Sequence, residues 1–167
     1  MCKDNLLVGY LTPDEQEKLM QVLTGRRAHL RDVLEINLHT GMRKGEILTL
    51  HKGQIDVFRD SIELTRTKSG KSRSVPIHQD LKPLLQSLCE NSGPSGYLFE
   101  NPRTGKPITD IKTAWRLALR DAGIPHIPFH CAGRHTFGTR AIDGGVSLSA
   151  VKEVMGRAQG LFIVPVR

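Results

Sequence analysis

The hydrophobic period of this sequence changes twice, and this limits the possible folds more than any other feature. Near the start, Thr12 and Glu15 form a capping-box pattern around Pro13, which suits the first position of a helix. Leu19 and Leu23 then follow on one helix face. In the middle of the chain the apolar residues alternate at every second position, as strands require, before helical spacing returns. We therefore assign a mainly α fold with one small β-sheet.

The element boundaries follow from caps, turns and breaks in this pattern. The alternating residues form three short runs with turn-like pairs between them, which predicts a three-stranded antiparallel meander. Pro76 has no backbone N–H to donate, so the third strand is expected at an edge of the sheet. Helices are predicted over 13–23, 27–39 and 43–50, around 81–88 and 111–119, and from starts near Ala132 and at Ser147; the strand pairs are Ile55 with Val57, Ile62 with Leu64, and Val75 with Ile77.

Composition narrows the class of protein. The 167 residues carry a formal net charge of +7 with both signs mixed, which indicates one folded domain with a basic face for nucleic acid. A ribosomal protein or an enzyme with a merely basic surface remains an alternative on charge alone. Three widely spaced cysteines support neither a disulfide framework nor a zinc ribbon, which favours a reducing, intracellular setting. We expect no signal peptide and no membrane span.

The turn between the second and third strands is strongly basic. Thr65–Arg73 contains four cations in nine residues, namely Arg66, Lys68, Lys71 and Arg73. Gly70-Lys71-Ser72 resembles the end of a phosphate-binding P-loop. That motif requires a glycine five residues earlier, where this chain has Thr65, and it requires a helix after the loop. A basic turn that reaches into DNA is the better interpretation, and no nucleotide cofactor is expected.

Three histidines near the C-terminal third could suggest a metal site. Pro125 and Pro128 prevent one helix from carrying both His126 and His130, and His135 follows without a carboxylate cluster or an HExxH pattern. A Ser-His-Asp hydrolase has even less support than a metal site, because the sequence has no Gly-x-Ser-x-Gly elbow. We therefore expect no metal and no other cofactor.

Two arginines, Arg43 and Arg134, each stand at the start of a predicted helix. A guanidinium group binds two phosphate oxygens at once and stays charged at physiological pH, so the pair suggests a clamp on one phosphate. The alternative for Arg43 is a simple helix ion pair with Glu46 three residues later.

Several motifs in order carry a resemblance to a known family. They are Thr40-Gly41-x-Arg43-x-Gly45-Glu46-x-Leu48, Thr67-Lys68 ahead of Arg73-Ser74-Val75-Pro76, His130 with Arg134–Thr139, and Val151–Gly156. Together they resemble the tyrosine recombinases of the phage-integrase family. The resemblance covers residues 11–157 as a catalytic domain, preceded by a lead-in at 1–10 and followed by a divergent apolar tail at 158–167.

The resemblance implies a DNA breaking-rejoining catalytic domain that acts on double-stranded DNA in recombination or integration, without metal or nucleotide. A tyrosine of the family attacks a DNA phosphate and leaves a 3′-phosphotyrosyl bond and a free 5′-hydroxyl. It also implies other recombinase protomers as partners, and a place in the cytoplasm at the nucleoid, as for a mobile-element protein. The implied residues are Arg43 and Arg134 on the phosphate oxygens, Lys68 as proton donor, His130 as partner of Arg134, Glu46 supporting Arg43, and Arg66, Lys71 and Arg73 on DNA.

Three departures from the family pattern concern the active site. His130 and Arg134 are one residue further apart than in His-x-x-Arg, and Arg157 occupies the position of a histidine or tryptophan. The nucleophile is expected near Val166, but the only tyrosines are Tyr10 and Tyr97. We therefore expect a recombinase domain that is inactive alone. A non-catalytic DNA-binding or regulatory module, or a decaying gene fragment, remains an alternative.

Overall fold

The computed structural model describes residues 9–65 and 72–156, and within these ranges it contains seven α-helices and one three-stranded sheet. The assigned fold class is confirmed. The elements are α1 Pro13–Val22, α2 Ala28–Thr40, α3 Lys44–Leu48, β1 Ile55–Asp56, β2 Ser61–Leu64, β3 Arg73–Pro76, α4 Lys82–Glu90, α5 Lys112–Asp121, α6 Thr136–Asp143 and α7 Leu148–Val154, with a π turn at Cys131–His135.

Helix α2 is the central element of the core. Its buried side chains lie on more than one face, since Leu30, Val33, Leu34 and Ile36 are all fully buried. The helix ends at Gly41, whose φ of +60° is the left-handed conformation that glycine adopts without strain. A Cβ atom at this position would lie 2.5 Å from the Phe137 ring of α6. The glycine therefore both ends α2 and lets α6 approach it.

The sheet has the order β1-β2-β3, and both pairs are antiparallel. Ile62 pairs with Val75 and both are buried, whereas Glu63 pairs with Ser74 on the exposed face. Pro76 lies at the end of the edge strand β3, as predicted. The sheet therefore packs one face on the core and attaches β3 next to α7.

The chain reaches the second arginine through an extended segment and an unusual helical turn. Trp115 of α5 donates a 2.8 Å hydrogen bond to the Ile127 carbonyl, and its ring meets Phe129 edge-on with centroids 4.9 Å apart. We predicted an α-helix from near Ala132, but a π turn precedes α6 there. In a π turn the hydrogen bonds span five residues instead of four, so it accommodates one additional residue.

Within residues 9–65 and 72–156, no helix has the combined length and apolarity that a membrane span needs. The predicted apolar tail from Leu161 to Val166 lies outside the described residues.

Candidate functional site

The junction between α2 and α3 determines where Arg43 points. Asn37 donates from Nδ2 to the Met42 carbonyl at 2.6 Å, and the Met42 N–H donates to the Thr40 hydroxyl at 3.3 Å. These buried bonds hold the turn after α2 in one conformation. Arg43 precedes α3 with extended backbone angles, and its guanidinium contacts Glu46 in the first turn of that helix.

Glu46 is the centre of the polar cluster at this junction. It accepts hydrogen bonds from the Arg43 backbone N–H at 2.8 Å and from the Arg43 guanidinium at 3.1 Å. Arg73 of β3 donates to both carboxylate oxygens, at 2.9 and 2.8 Å. Burial alone would raise the pKa of Glu46, but the hydrogen bonds from Arg73 and Arg43 outweigh it and lower the pKa below 4.5. Glu46 therefore stays ionised and fixes both arginines.

Arg134, in the π turn before α6, lies close to the same cluster. Only 6% of its surface is exposed, and it donates to the carbonyls of Gly41 and, at 3.2 Å, of Met155. Burial, with a further contribution from the positive charge of Arg43, lowers the pKa of Arg134 to about 10. Arg134 thus remains charged at neutral pH and adds a second fixed cation next to Arg43.

The end of α7 contacts the arginines through backbone carbonyl groups. Arg43 donates to the Gly156 carbonyl at 2.7 Å, one residue after the carbonyl that Arg134 uses. Gly156 has a φ of +65°, and a Cβ atom there would lie 2.7 Å from the Arg73 guanidinium. Three arginines and one glutamate therefore gather beneath the last turn of α7. Their net charge of +2 suits an anion such as a phosphate group.

Arg73 lies in a different environment from the one that the sequence predicts. We expected a DNA-facing cation of the basic turn, but its side chain is 12% exposed and committed to Glu46. The alternation of residues along β3 indicates this burial. Arg73 lies two residues before the buried Val75, on the same face of β3, so period-two alternation directs it inward. We correct its role to holding Glu46.

His130 is not brought into this cluster by any hydrogen bond or ion pair that the structure describes. It is exposed, and its ring lies edge-on to His135 with centroids 5.8 Å apart. It lines a separate cavity together with Lys44 and Arg116. The π turn takes up the extra residue before Arg134, so Arg134 reaches the cluster while His130 faces this cavity. The predicted partnership of His130 with Arg134 is therefore not seen as a direct contact.

Other predicted residues lie outside the described part of the chain, namely Arg66, Lys68, Lys71 and Arg157. The tyrosines are described. Tyr10 lines a small cavity with Pro125 and Cys131, and Tyr97 meets His51 edge-on at a centroid distance of 5.6 Å. Among residues 9–65 and 72–156, no three histidine, cysteine or acidic side chains gather in a way that could hold a metal ion.

A groove of about 650 Å³ adjoins the arginine cluster on the side of the sheet. Arg43 and Glu46 line it, and Thr65 and Tyr97 supply hydroxyl groups to the lining. Thr65 directly follows β2. The groove thus lies between the end of β2 and Arg43.

Comparison with known proteins agrees with this fold. The profile of the phage integrase family matches residues 9–160, and the chain belongs to that family. Among its relatives, tyrosine recombinase XerA of Pyrococcus furiosus is 30% identical over 153 residues, which cover 89% of this chain and 53% of XerA. The integrase of Salmonella phage P22 is 28% identical over 164 residues, covering 91% of this chain and 41% of the integrase.

Solved structures share the fold. The crystal structure of XerA recombinase superposes with a TM-score of 0.74 at 24% identity, covering 90% of this chain and 56% of that one. A lambda integrase dimer bound to a COC′ core site gives a TM-score of 0.73 at 20% identity, with 90% and 57% covered. The chain spans about half the length of the curated relatives named here.

Proposed function

We propose that residues 11–157 form the phosphate-binding domain of a site-specific tyrosine recombinase that cleaves and rejoins double-stranded DNA. The observation that carries this proposal is the meeting of Arg43, Arg73 and Arg134 around Glu46, beneath the end of α7. A metal-free phosphoryl transfer needs fixed positive charge on the non-bridging oxygens, and this cluster supplies it from side chains.

The arginines differ in exposure, and we give them different roles for that reason. Arg134 is buried and held by two carbonyls, so it offers a pre-positioned charge. Arg43 is 33% exposed and lines the groove, so it can reach a phosphate placed there. Arg73 and Glu46 keep Arg43 from moving away. These are the features of electrostatic preorganisation, in which the charges need no rearrangement when the transition state forms.

In the reaction of the family, a tyrosine oxygen bonds to phosphorus while the bond to the 5′ oxygen breaks. The phenol loses its proton and the 5′ oxygen gains one. By the family resemblance, Lys68 is our choice for the group that protonates the 5′ oxygen. Neither Tyr10 nor Tyr97 is our choice for the nucleophile, because the family places neither there. We therefore propose that this 167-residue chain binds DNA but forms no covalent bond with it unaided.

The net charge of +7 supports DNA as the partner. We propose that the domain acts in the cytoplasm at the nucleoid, with other recombinase protomers beside it on DNA. Structures of lambda integrase as a dimer on a core site and as a tetramer on a Holliday junction show such assemblies for that protein.

The test is a salt titration of duplex binding by fluorescence anisotropy. We expect the affinity of the chain for duplex DNA to fall steeply as the salt concentration rises. Arg43→Ala should lower the affinity, and it should lower the slope of log affinity against log salt concentration by about one. Arg120→Ala is the matched control, since this side chain is 73% exposed and paired with its neighbour Asp121. If both variants lost the same affinity, the effect would come from net charge alone, and this would contradict a phosphate clamp at Arg43.

A second function has one observation in its favour, namely that no tyrosine follows Tyr97 in this sequence. A non-catalytic module would bind DNA and lower the turnover of an intact recombinase on the same site. Both possibilities predict no covalent adduct when nicked duplexes are analysed on denaturing gels, and the effect of the chain on the turnover of an intact recombinase separates them. A covalent adduct on Tyr10 or Tyr97 would show that this chain carries its own nucleophile.

A further inference from the structure

Asn37 is a buried asparagine that holds the turn leading to Arg43. It lies in the last turn of α2, and none of its surface is exposed. Its backbone carbonyl accepts a 2.8 Å hydrogen bond from the Gly41 N–H, and its side-chain amide donates to the Met42 carbonyl at 2.6 Å. Arg43 is the next residue after Met42. One asparagine therefore binds two successive residues of the turn that places Arg43.

The same side chain packs against the residue before Arg134. That residue is Gly133, and an ideal Cβ atom there would lie 1.3 Å from Asn37 Oδ1 and 2.2 Å from its Cγ. The Asn37 amide thus takes up the volume that any side chain at position 133 would need. Gly133 belongs to the π turn that accommodates the additional residue after His130. The absence of a side chain at Gly133 is therefore matched to the amide of Asn37.

Hydrogen bonding of the Asn37 amide is incomplete. Its Nδ2 donates to Met42, but its buried Oδ1 has no hydrogen-bond partner among the described residues. A buried acceptor without a partner costs free energy of folding, and a leucine of similar shape would avoid that cost. Stability is thus a poor reason for an asparagine at this position. Holding the Met42 carbonyl next to Arg43 is a better one.

Arg134 contacts the turn that Asn37 holds. Its guanidinium donates to the Gly41 carbonyl, which is adjacent to the Met42 carbonyl used by Asn37. A displacement of this turn would move Arg43 and would remove a partner of Arg134 at the same time. No hydrogen bond joins Asn37 to a guanidinium within residues 9–65 and 72–156, so its effect on the arginines passes through the backbone. Groups that bind one ligand together need supports that fix their separation to about 0.5 Å.

We propose that Asn37 is a positioning residue that sets the separation of Arg43 and Arg134. Its amide fixes the turn before Arg43 through the Met42 carbonyl, and it fixes the π turn before Arg134 by filling the space at Gly133. A larger residue at position 133 displaces the amide and thereby moves Arg43. The inference rests on the function proposed above only for its ligand, a phosphate of DNA.

Nuclear magnetic resonance of the arginine Nε–H groups tests the positioning role without any ligand. In Gly133→Ala the new methyl group forces the Asn37 amide away from Met42, so we expect the Arg43 signal to shift. In the Asn37→Ala background the amide is already gone, and adding Gly133→Ala should leave the Arg43 signal nearly unchanged. Such non-additivity is the mark of two residues that act as a unit.

Asn91→Ala is the matched control, because Asn91 also donates from Nδ2 to a backbone carbonyl, that of Ser87 at 2.8 Å, but on α4. It should shift the signals of neither Arg43 nor Arg134. Asn37→Leu keeps the volume of the amide and removes only its hydrogen bond, so it provides the test if Gly133→Ala does not fold. An Arg43 signal that stays in place in every folded variant at positions 37 and 133 would overturn the proposal.

Duplex binding separates positioning from a general loss of structure. Asn37→Leu should weaken binding roughly threefold in the wild-type background. It should have no effect in Arg43→Ala, because the pair of arginines is already broken there. Equal losses in both backgrounds would overturn the proposal, since a merely structural residue would act in both. If the wild-type chain binds no duplex, the proposed function fails, whereas the Arg43 signal still decides the role of Asn37.

Discussion

Arg73 and Glu46, which lie 27 residues apart, form a two-point ion pair with N–O distances of 2.9 and 2.8 Å. One partner belongs to the edge strand β3 and the other to the short helix α3. Arg43 shares the Oε1 atom of the same carboxylate. The position of the exposed arginine therefore depends on a contact between two elements that are distant in sequence.

We expect Arg73→Ala to destabilise the fold, because the Glu46 carboxylate is 11% exposed and would lose its main partner. Removing one side of a largely buried pair costs about 3 kcal/mol of unfolding free energy. The measurement is urea denaturation followed by circular dichroism. Arg59→Ala is the control, since Arg59 is 85% exposed and its pair with Asp56 is 3.7 Å long. A loss no larger than that of Arg59→Ala would contradict the structural importance of this pair.

Acid should weaken the fold through Glu46. The pKa of this carboxyl is lowered in the folded state, so its ionisation adds stability that is complete above about pH 4.5. That contribution is lost as the pH falls below 4.5 and passes through the folded-state pKa. Glu46→Gln should therefore be less stable than the wild-type chain near neutral pH, and the gap should narrow in acid. Denaturation midpoints of both proteins, measured from neutral pH to below pH 4.5, test this prediction. A stability difference that does not change with pH would contradict it.

Gly41→Ala should be far more destabilising than Gly25→Ala. Both glycines have positive φ angles, +60° and +56°, so both variants carry the backbone strain of about 1 kcal/mol. Only at Gly41 would the new Cβ meet a ring, that of Phe137 at 2.5 Å, whereas Gly25 has open space. We expect an additional loss of about 1–3 kcal/mol from overpacking. Thermal melts of the two variants provide the comparison, and equal melting temperatures would show that α6 does not press on Gly41.

Arg134→Lys should lower stability even though it keeps the charge. The two carbonyls that Arg134 contacts, those of Gly41 and Met155, lie in different parts of the chain, and an ammonium group lacks the planar fork that reaches both. A lost hydrogen bond to a charged group corresponds to about 1.5–3 kcal/mol. Chemical denaturation measures this, with Arg43→Lys as the comparison at a more exposed position. If Arg134→Lys left the free energy of unfolding unchanged, a positive charge alone would be enough at this position.

Much of the fold was predictable because the signals are local. The Thr12 capping box is formed as predicted, with the Thr12 N–H donating to Glu15 at 2.9 Å and the Glu15 N–H donating back at 3.3 Å. The meander and the edge position of Pro76 followed from alternation and from the missing N–H of proline. The helix boundaries differ from the predicted ones by one to a few residues, as expected where helix ends fray.

The site was predictable only in part. The contact between Arg43 and Glu46 spans three residues, so helix geometry alone indicates it. The burial of Arg73 was missed because the basic turn was interpreted by its charge and not by the alternation that continues into β3. The longer spacing between His130 and Arg134 is visible in the sequence, but a sequence pattern does not distinguish an α turn from the π turn that takes up the additional residue.

The sequence by itself determined the mainly helical fold, the small sheet and the place of Arg43 at the start of α3, since these depend on interactions within a few residues. Tertiary structure decided which groups share the site. Arg43 meets Gly156 across 113 residues, Arg134 meets Gly41 across 93, and Arg73 meets Glu46 across 27. Such contacts depend on how α3, β3 and α7 pack around α2. That packing follows from the shape of the whole core, which no local pattern specifies.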